Sequence, residues 1–220
     1  MVQFHRWILS SLLQLRRRKL VNMINFSTSK NSFAVEMGCN TGQLARLLSL
    51  YTRTIGIDVD LDKVRWAKKI NRDLDFICCD LCNLPFKKAS VNLAVCASVF
   101  EHVENLEKTI EQVKFVLTNE GQLAAGYPIE TRLLEAIIKL FLGSESQVWN
   151  QCNISKHDKP VLSPHIHRQS FLKIRMMLKK SFSRVKKEKI PLTCFSDLLS
   201  IYENAIFVRT ENQPVSDDQV

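Results

Sequence analysis

A chain of 220 residues, 45% of them hydrophobic, is long enough for one domain with a substantial core and for appended segments. It has no run of 18 apolar residues, so we expect no membrane-spanning helix. Seven cysteines, an odd number without a secretory signal, predict reduced thiols and a cytoplasmic protein.

The net charge of +9 is concentrated in two segments of the chain. Residues 1–30 hold six basic residues and no acid, and residues 156–190 hold 11 basic residues and two acids. Residues 31–155 are close to neutral, with 13 basic and 15 acidic residues. Such basic segments can meet nucleic acid, anionic lipid or an acidic substrate. The more common outcome is a solvated face, which is the interpretation we favour.

The first 30 residues are predicted to form a basic helix over residues 4–24, followed by a polar linker. Three interpretations are open. The helix is a mitochondrial targeting segment, an amphipathic helix on an anionic membrane surface, or an element that packs beside the following domain. We favour packing, and we expect the domain itself to cover residues 31–212.

A buried strand, a glycine turn and a helix follow the linker. The strand covers residues 33–37 and ends beside Glu36, whose carboxylate can accept hydrogen bonds from a ligand. Gly38 and Gly42 let the backbone approach that ligand, as in open α/β sheets that hold nucleotide-like molecules. The spacing fits neither the dinucleotide fingerprint nor the phosphate loop, and the turn has no Lys or Arg. Asn40 stands between the glycines, and asparagine tolerates a positive φ.

Two further strands are predicted to end in acids. The strand at residues 53–58 ends in Asp58, twenty residues beyond Gly38, a spacing at which a carboxylate reaches ribose hydroxyls. Asp60 then caps a helix. The strand at residues 74–80 ends in Asp80. Three successive acids at strand ends behind a glycine turn are hard to obtain by chance, so together they indicate a ligand site.

A Cys-x-x-Cys pair, Cys79 and Cys82, lies at the end of the third strand. A metal site would need a second pair or histidines nearby, and a redox pair would need a thioredoxin-like unit. We favour small residues flanking a cofactor strand, and we predict no metal site.

The fourth strand, at residues 91–97, is apolar enough to be central in a parallel sheet. Apolar residues at spacings of three and four then predict one helix from Ser98 to Leu117. On that helix Glu101 would lie away from the buried stripe. Gly121 is predicted to end the helix as its C-cap, and residues 122–127 form the fifth strand.

The last part of the chain is predicted to contain a helix at residues 130–143 and a lid-like insertion at about residues 144–170. A second helix at residues 169–179 and two strands, at residues 182–190 and 205–209, complete the domain. The polar residues 213–220 form a disordered tail.

The stretch at residues 33–44 resembles motif I of the class I S-adenosylmethionine-dependent methyltransferases, whose usual form is Asp/Glu-x-Gly-x-Gly-x-Gly. The block from the fourth strand through Ser98-Val-Phe-Glu-His-Val to Gly121 is similar to motifs IV to VI of that family. It is most like the branch that methylates small molecules, and the resemblance covers residues 33–128. It implies a doubly wound α/β fold with a mostly parallel seven-stranded sheet, helices on both faces, and S-adenosylmethionine as cofactor.

The resemblance also implies which residues form the site. Those on the cofactor side are Glu36, Gly38, Cys39, Asn40, Gly42, Asp58, Val59, Asp80, Leu81 and Ser98. On the acceptor side, His102 is the best-placed general base and the only catalytic candidate. Tyr127, at the end of the fifth strand, lines the acceptor pocket or belongs to the core. His165 and His167, on the predicted lid, are further acceptor-side candidates or solvated loop residues.

The expected function is methyl transfer to a small or amphiphilic molecule. A nucleic-acid methyltransferase is one alternative, favoured by the basic segments and opposed by the lack of an Asn-Pro-Pro-Tyr-like motif after the fourth strand. A silent methyltransferase-like binding module is another, kept open by Asn40 and the lack of a clear base. If the basic residues 1–24 and 156–190 gather at the acceptor entrance, they favour an anionic or membrane-associated acceptor.

Overall fold

The computed structural model describes residues 14–26, 32–129, 168–190 and 202–209. These ranges contain seven strands: β1 (Phe33–Met37), β2 (Arg53–Asp58), β3 (Asp75–Cys78), β4 (Val91–Ala97), β5 (Leu117–Pro128), β6 (Ser183–Ile190) and β7 (Tyr202–Val208). All seven belong to one sheet, in the order β3-β2-β1-β4-β5-β7-β6.

The pairing of the strands sets the position of the site. Strands β1 to β5 pair in parallel, whereas β7 runs antiparallel to both β5 and β6. Met37 is in register with Ile57 on one side and Cys96 on the other, so β1, β2 and β4 finish at the same edge of the sheet. This mostly parallel, seven-stranded arrangement confirms the predicted fold.

Helices cover both faces of the sheet. They are residues 14–23 (α1), Gln43–Leu48 (α2), Leu61–Ile70 (α3), Leu106–Val116 (α4) and Phe171–Ser181 (α5). Helices α1 and α2 share one apolar cluster with β4, built around Leu20, Leu48 and Val95. Helices α4 and α5 bury Ile110 and Ile174 in the larger cluster on the opposite face. Within the described ranges, no helix has the length and apolar character needed to span a membrane.

Helix α1 crosses its face of the sheet from one edge to the other. At one end, Arg16 Nη1 donates a hydrogen bond to Ser98 Oγ, 2.8 Å away, beyond the carboxyl end of β4. Leu20 lies in the middle of α1 and is fully buried. Past the other end, the backbone N–H of Asn25 donates to Gln122 Oε1 at 3.3 Å, towards the amino end of β5. The described part of the N-terminal segment therefore agrees with the packing interpretation.

The two basic segments of the chain meet along the edge strand β6. Lys19 of α1 forms an ion pair with Glu188 of β6. Lys186 Nζ donates to the carbonyl oxygen of Met23 at 3.2 Å. The described parts of the two segments therefore adjoin, but among the described residues of α1 only its first turn approaches the carboxyl edge of the parallel strands.

The predicted helix from Ser98 to Leu117 is wrong at both ends. Ser98 has a φ of 61°, which no right-handed helix accommodates, and residues 98–105 form turns. Helix α4 begins at Leu106 because Asn105 Oδ1 accepts the Lys108 N–H at 2.9 Å as an N-cap. It ends at Val116, and Gly121 is part of β5 rather than a C-cap.

The described C-terminal elements agree with the prediction, with shifted ends. Helix α5 and strand β6 fall within two residues of their predicted bounds. Strand β7 begins at Tyr202, three residues earlier than predicted, which adds Tyr202, Glu203 and Asn204 to the sheet. The predicted helix at 130–143, nearly all of the 144–170 insertion and the 213–220 tail lie outside the described residues.

Candidate functional site

The loop between β1 and α2 has alternate residues in the left-handed region. Gly38, Asn40 and Gly42 have φ values of 70°, 48° and 74°. Asn40 therefore adopts the conformation that asparagine tolerates best among residues with a Cβ. A Cβ on Gly38 would lie 2.5 Å from Val99 Cγ2, so both φ and the neighbouring side chain require glycine there. The loop holds its shape although Asn40 replaces the middle glycine of the motif.

Glu36 lies beneath this loop and caps helix α2. Its Oε2 accepts the backbone N–H of Ala45 at 2.7 Å, and only 5% of the residue is exposed. Burial raises the pKa of Glu36 to about 8, although the Ala45 N–H and the nearby Arg17 act in the opposite direction. The carboxyl group therefore supports the loop directly, in addition to the ligand contact predicted from the sequence.

Asp58, at the end of β2, fastens the loop from the other side. Its Oδ2 accepts the Asn40 N–H at 2.9 Å, and its Oδ1 accepts the Asp60 N–H at 3.0 Å. Each carboxylate oxygen has a second lone pair, so ribose hydroxyls can still donate to it. The next residue, Val59, is 72% exposed at the same edge. Asp58 thus joins the loop to β2, and its contact with a ribose stays a prediction of the resemblance.

Asp80 and Leu81 lie beyond the end of β3. The strand ends at Cys78 rather than at Asp80, as the sequence had predicted. Asp80 is exposed, and its Oδ1 accepts the Cys82 N–H at 2.9 Å. Leu81 buries its side chain in the larger core cluster. Only the backbone of Leu81 therefore remains for a contact with a base, which is the contact that the resemblance implies.

Two of the cysteines near these strand ends, Cys39 and Cys79, are thiols with low acidity. Cys39, in the glycine loop, is 3% exposed, and burial raises its pKa well above the usual range. Burial likewise raises the pKa of Cys79 to about 11. Cys82 Sγ lies 3.5 Å from the hydroxyl of Thr109. Within the described parts of the chain, no group of three or more His, Cys, Asp or Glu residues is arranged to hold a metal ion.

The turn after β4 carries Ser98 and His102. The Ser98 N–H donates to the Gly126 carbonyl oxygen at 2.7 Å, which ties the turn to β5. His102 is half-buried, and its backbone N–H donates to the carbonyl oxygen of Val99 at 2.9 Å. His102 therefore lies in a turn at the carboxyl edge, four residues before helix α4 begins. His165 and His167 lie outside the described residues.

Tyr127 lies inside β5. Its side chain is fully buried, and its hydroxyl donates to Glu203 Oε1 of β7 at 2.9 Å. Burial, reinforced by the Glu203 carboxylate, raises the pKa of Tyr127 above its usual range, so the hydroxyl keeps its proton. The structure places Tyr127 in the core, one of the two alternatives that the sequence left open.

Four residues at the same edge were not among the predicted site residues. Arg16 is 6% exposed and its guanidinium lies 4.2 Å from the centre of the Tyr202 ring. Glu101, predicted to face away from the core, is 1% exposed and hydrogen-bonds Tyr202. Arg17 donates to Gln43 Oε1. The pKa of Arg17 is lowered, mainly by burial and also by Arg16, although Glu36 acts in the opposite direction. The basic run of α1 was the only feature of the sequence that could have indicated the two arginines. The favoured interpretation of that run as a solvated face is wrong for Arg16, which is buried.

A surface cleft of about 450 Å³ lies at the opposite edge of the sheet. Arg53 and Asp75, at the amino ends of β2 and β3, are among its lining residues. In an open parallel sheet, ligands bind at the carboxyl ends of the strands. This cleft is therefore distinct from the edge at which the glycine loop, Asp58 and Ser98 come together.

The strand order, the left-handed loop and the acids behind it define an open α/β domain that binds a nucleotide-like cofactor. Residues 35–125 match the family described as "Methyltransferase domain". Over these residues the chain is similar to a methyltransferase domain, which agrees with the resemblance seen in the sequence.

A curated relative is the uncharacterized protein MJ0638 of Methanocaldococcus jannaschii, 31% identical over 98 residues. That match covers 44% of this chain and 41% of the relative, so this chain spans less than half of the relative's length.

Solved structures share the fold over most of the chain. One is the geranyl diphosphate C-methyltransferase of Streptomyces coelicolor A3(2), with a TM-score of 0.65 and 12% identity over 91% of this chain and 82% of that one. Another is the N-methyltransferase NodS of Bradyrhizobium japonicum WM9, with a TM-score of 0.62 and 16% identity over 90% and 87%. Both were solved with S-adenosylhomocysteine, the demethylated form of the cofactor.

Proposed function

We propose that this protein transfers the methyl group of S-adenosylmethionine to a small or amphiphilic molecule. The observation that carries the proposal is the position of Asp58, which holds the glycine loop and keeps lone pairs for the ribose hydroxyls. Residues 38–42 contain no Lys or Arg, so a cofactor with a nucleoside but no phosphate suits this loop better than a dinucleotide.

The reaction is an in-line displacement at the methyl carbon. The bond from the methyl carbon to sulfur breaks as a bond to the acceptor atom forms, and the sulfur keeps the electron pair. The cofactor supplies the reactive group, so the protein's task is to orient the two molecules and exclude water. An acceptor with an N–H or O–H also loses a proton, and His102 at the carboxyl edge is our candidate to receive it.

Two features support a small acceptor over a nucleic acid. Helix α1 brings Arg16 across the carboxyl end of β4, where the arginine is buried and does not form part of an exposed basic surface. The geranyl diphosphate C-methyltransferase, which shares the fold, was solved with geranyl diphosphate, a small molecule. The net charge of +9 favours the alternative, a nucleic-acid methyltransferase.

The first test is cofactor selectivity. S-adenosylmethionine and S-adenosylhomocysteine should raise the midpoint of thermal unfolding, and NAD should not. Tighter binding of NAD than of S-adenosylhomocysteine would reject the proposed cofactor site.

The second test is methyl transfer itself. The full chain is incubated with methyl-labelled S-adenosylmethionine and with lipid, small-molecule and nucleic-acid pools of a cell extract. Label is expected in the lipid or small-molecule pool, and at low cofactor concentration it should decrease with Asp58→Ala. Label in the nucleic-acid pool alone would favour the alternative. Cofactor binding without label in any pool would favour a silent binding module.

A further inference from the structure

The guanidinium of Arg16 is buried at the carboxyl edge with few partners for its charge. Nη1 donates to Ser98 Oγ at 2.8 Å, and the group lies 4.2 Å from the centre of the Tyr202 ring. Nε is buried and makes no hydrogen bond to any described residue. Among the described carboxylates, none forms an ion pair with Arg16 at 4.0 Å or less.

Such an arrangement costs free energy unless another group compensates the charge. A buried cation loses its hydration, and a neutral hydroxyl with an aromatic ring restores only part of it. The backbone of Arg16 is also held at this edge, because its carbonyl oxygen accepts a hydrogen bond from Asn204 Nδ2 at 3.1 Å. Contacts of both the backbone and the guanidinium therefore hold Arg16 in a position where burial of its charge is unfavourable.

The neighbouring Arg17 differs in each of these respects. Its guanidinium donates to Gln43 Oε1 and lies in the field of the Glu36 carboxyl group, beside the glycine loop. It is half-buried, whereas Arg16 is 6% exposed. Arg18, the next residue, is exposed to solvent. The three arginines of the basic run thus have different surroundings, and Arg16 is the one directed to the turn after β4.

We propose that Arg16, with Ser98, forms a subsite for an oxyanion of the methyl acceptor, a carboxylate or a phosphate. The inference rests on the proposed function and adds that the acceptor lies beside Ser98, a residue that the resemblance assigns to the cofactor side. An anionic acceptor would give the buried guanidinium the ion-pair partner that it lacks among the described carboxylates. The planar guanidinium, with Nε and a second terminal nitrogen as donors, suits two oxygens of one oxyanion.

The test uses the full chain and three variants. Arg16→Met removes the charge and keeps an apolar stem over Tyr202, and Arg16→Lys keeps the charge without the forked donors. Arg18→Met is the matched control, because it removes the same charge from an exposed position two residues away. Thermal unfolding establishes that each variant is folded.

The first readout is calorimetric titration of the S-adenosylhomocysteine complex with benzoate and, separately, with inorganic phosphate. At least one anion should bind the wild type and the Arg18→Met control, and binding should weaken about 10- to 100-fold in Arg16→Met. Benzoate and phosphate distinguish the two kinds of oxyanion. Binding of neither anion to the wild-type complex, or equal binding to Arg16→Met, would overturn the subsite.

The second readout is the acceptor itself. Extract small molecules are separated on an anion-exchange column and assayed with methyl-labelled S-adenosylmethionine. Label should appear in the retained fractions, and Arg16→Met should raise the apparent KM of those fractions at least tenfold with little change in kcat. Arg16→Lys should recover part of the loss. Label confined to the unretained fractions would overturn the inference while leaving methyl transfer intact.

The cofactor's own carboxylate is the other oxyanion that could meet Arg16. Affinity for S-adenosylhomocysteine should therefore remain within about twofold in Arg16→Met. A tenfold or greater loss would assign Arg16 to the cofactor and overturn the acceptor subsite. If no fraction takes up label but anion binding depends on Arg16, the proposed methyl transfer fails and the anion subsite stands.

Discussion

Replacing Glu36 by Gln should stabilise the protein without cofactor, and the gain should increase with pH. Burial raises the pKa of Glu36 from 4.5 to about 8, so in that interval the carboxyl group is protonated when folded and ionised when unfolded. Unfolding then releases a proton, so the wild type loses stability as pH rises from 4.5 towards 8. Glutamine has no proton to release, and its Oε1 can still accept the Ala45 N–H.

The size of the effect follows from the pKa displacement. One pKa unit corresponds to about 1.4 kcal/mol, so three units between pH 5 and pH 8 give an upper bound of roughly 4 kcal/mol. We expect a gain of about 2–3 kcal/mol, because water entering the site would weaken the desolvation.

Urea unfolding of the wild type and Glu36→Gln at pH 5 and pH 8 measures this gain. The difference between the two proteins isolates Glu36, since the remaining groups titrate alike in both. A difference in the free energy of unfolding that is the same at both pH values would refute the raised pKa.

Three further predictions concern the cofactor. S-adenosylmethionine should bind more tightly as pH rises towards 8, because its sulfonium favours the ionised form of Glu36. The affinity of S-adenosylhomocysteine, measured by calorimetry, should change less with pH, and an equal change for both molecules would contradict the idea. Asp58→Ala should weaken cofactor binding by about 1.5–3 kcal/mol and also lower the unfolding midpoint, since Asp58 holds the Asn40 N–H; an unchanged affinity would exclude the ribose assignment. Asn40→Gly should leave cofactor affinity unchanged or improved, and a loss above tenfold would show that the Asn40 side chain contacts the cofactor.

The sequence was sufficient to predict the structure of the glycine loop and the strands around it because these elements are local. The glycine loop, its acids and the strands before them lie within residues 33–80, and buried strands and glycine turns have strong local signals. Asn40 illustrates this, since its left-handed φ follows from the residue type and its place between two glycines. The contact from Glu36 to Ala45 also spans only nine residues.

The acceptor half depends on contacts between distant parts of the chain. Apolar spacing continued from Val99 into helix α4, so the sequence suggested one helix and placed Glu101 on its outer side. The turn that buries Glu101 is instead set by Ser98, whose N–H meets Gly126, and by Tyr202, which comes from the last strand. Arg16 reaches Ser98 across 82 positions of sequence. The spacing of apolar residues within one segment cannot predict a contact between two distant segments.

Tyr127 allows a direct test of whether this residue belongs to the core or to the acceptor pocket. Its hydroxyl donates to Glu203, a fully buried carboxylate that also lies 3.9 Å from Arg184 Nη1. Tyr127→Phe removes one donor from that carboxylate and should cost about 1–3 kcal/mol of stability in urea unfolding. Its apparent KM for the labelled acceptor fraction should match the wild type.

Tyr202→Phe is the matched comparison, because Tyr202 precedes Glu203 in β7 and its ring lies against Arg16. The Tyr202 hydroxyl is hydrogen-bonded to Glu101 at the acceptor edge, so we expect a raised apparent KM in this variant. A raised KM in Tyr127→Phe with unchanged stability would return Tyr127 to the acceptor pocket. It would also mean that Arg184 and the other groups around Glu203 hold its charge without the tyrosine.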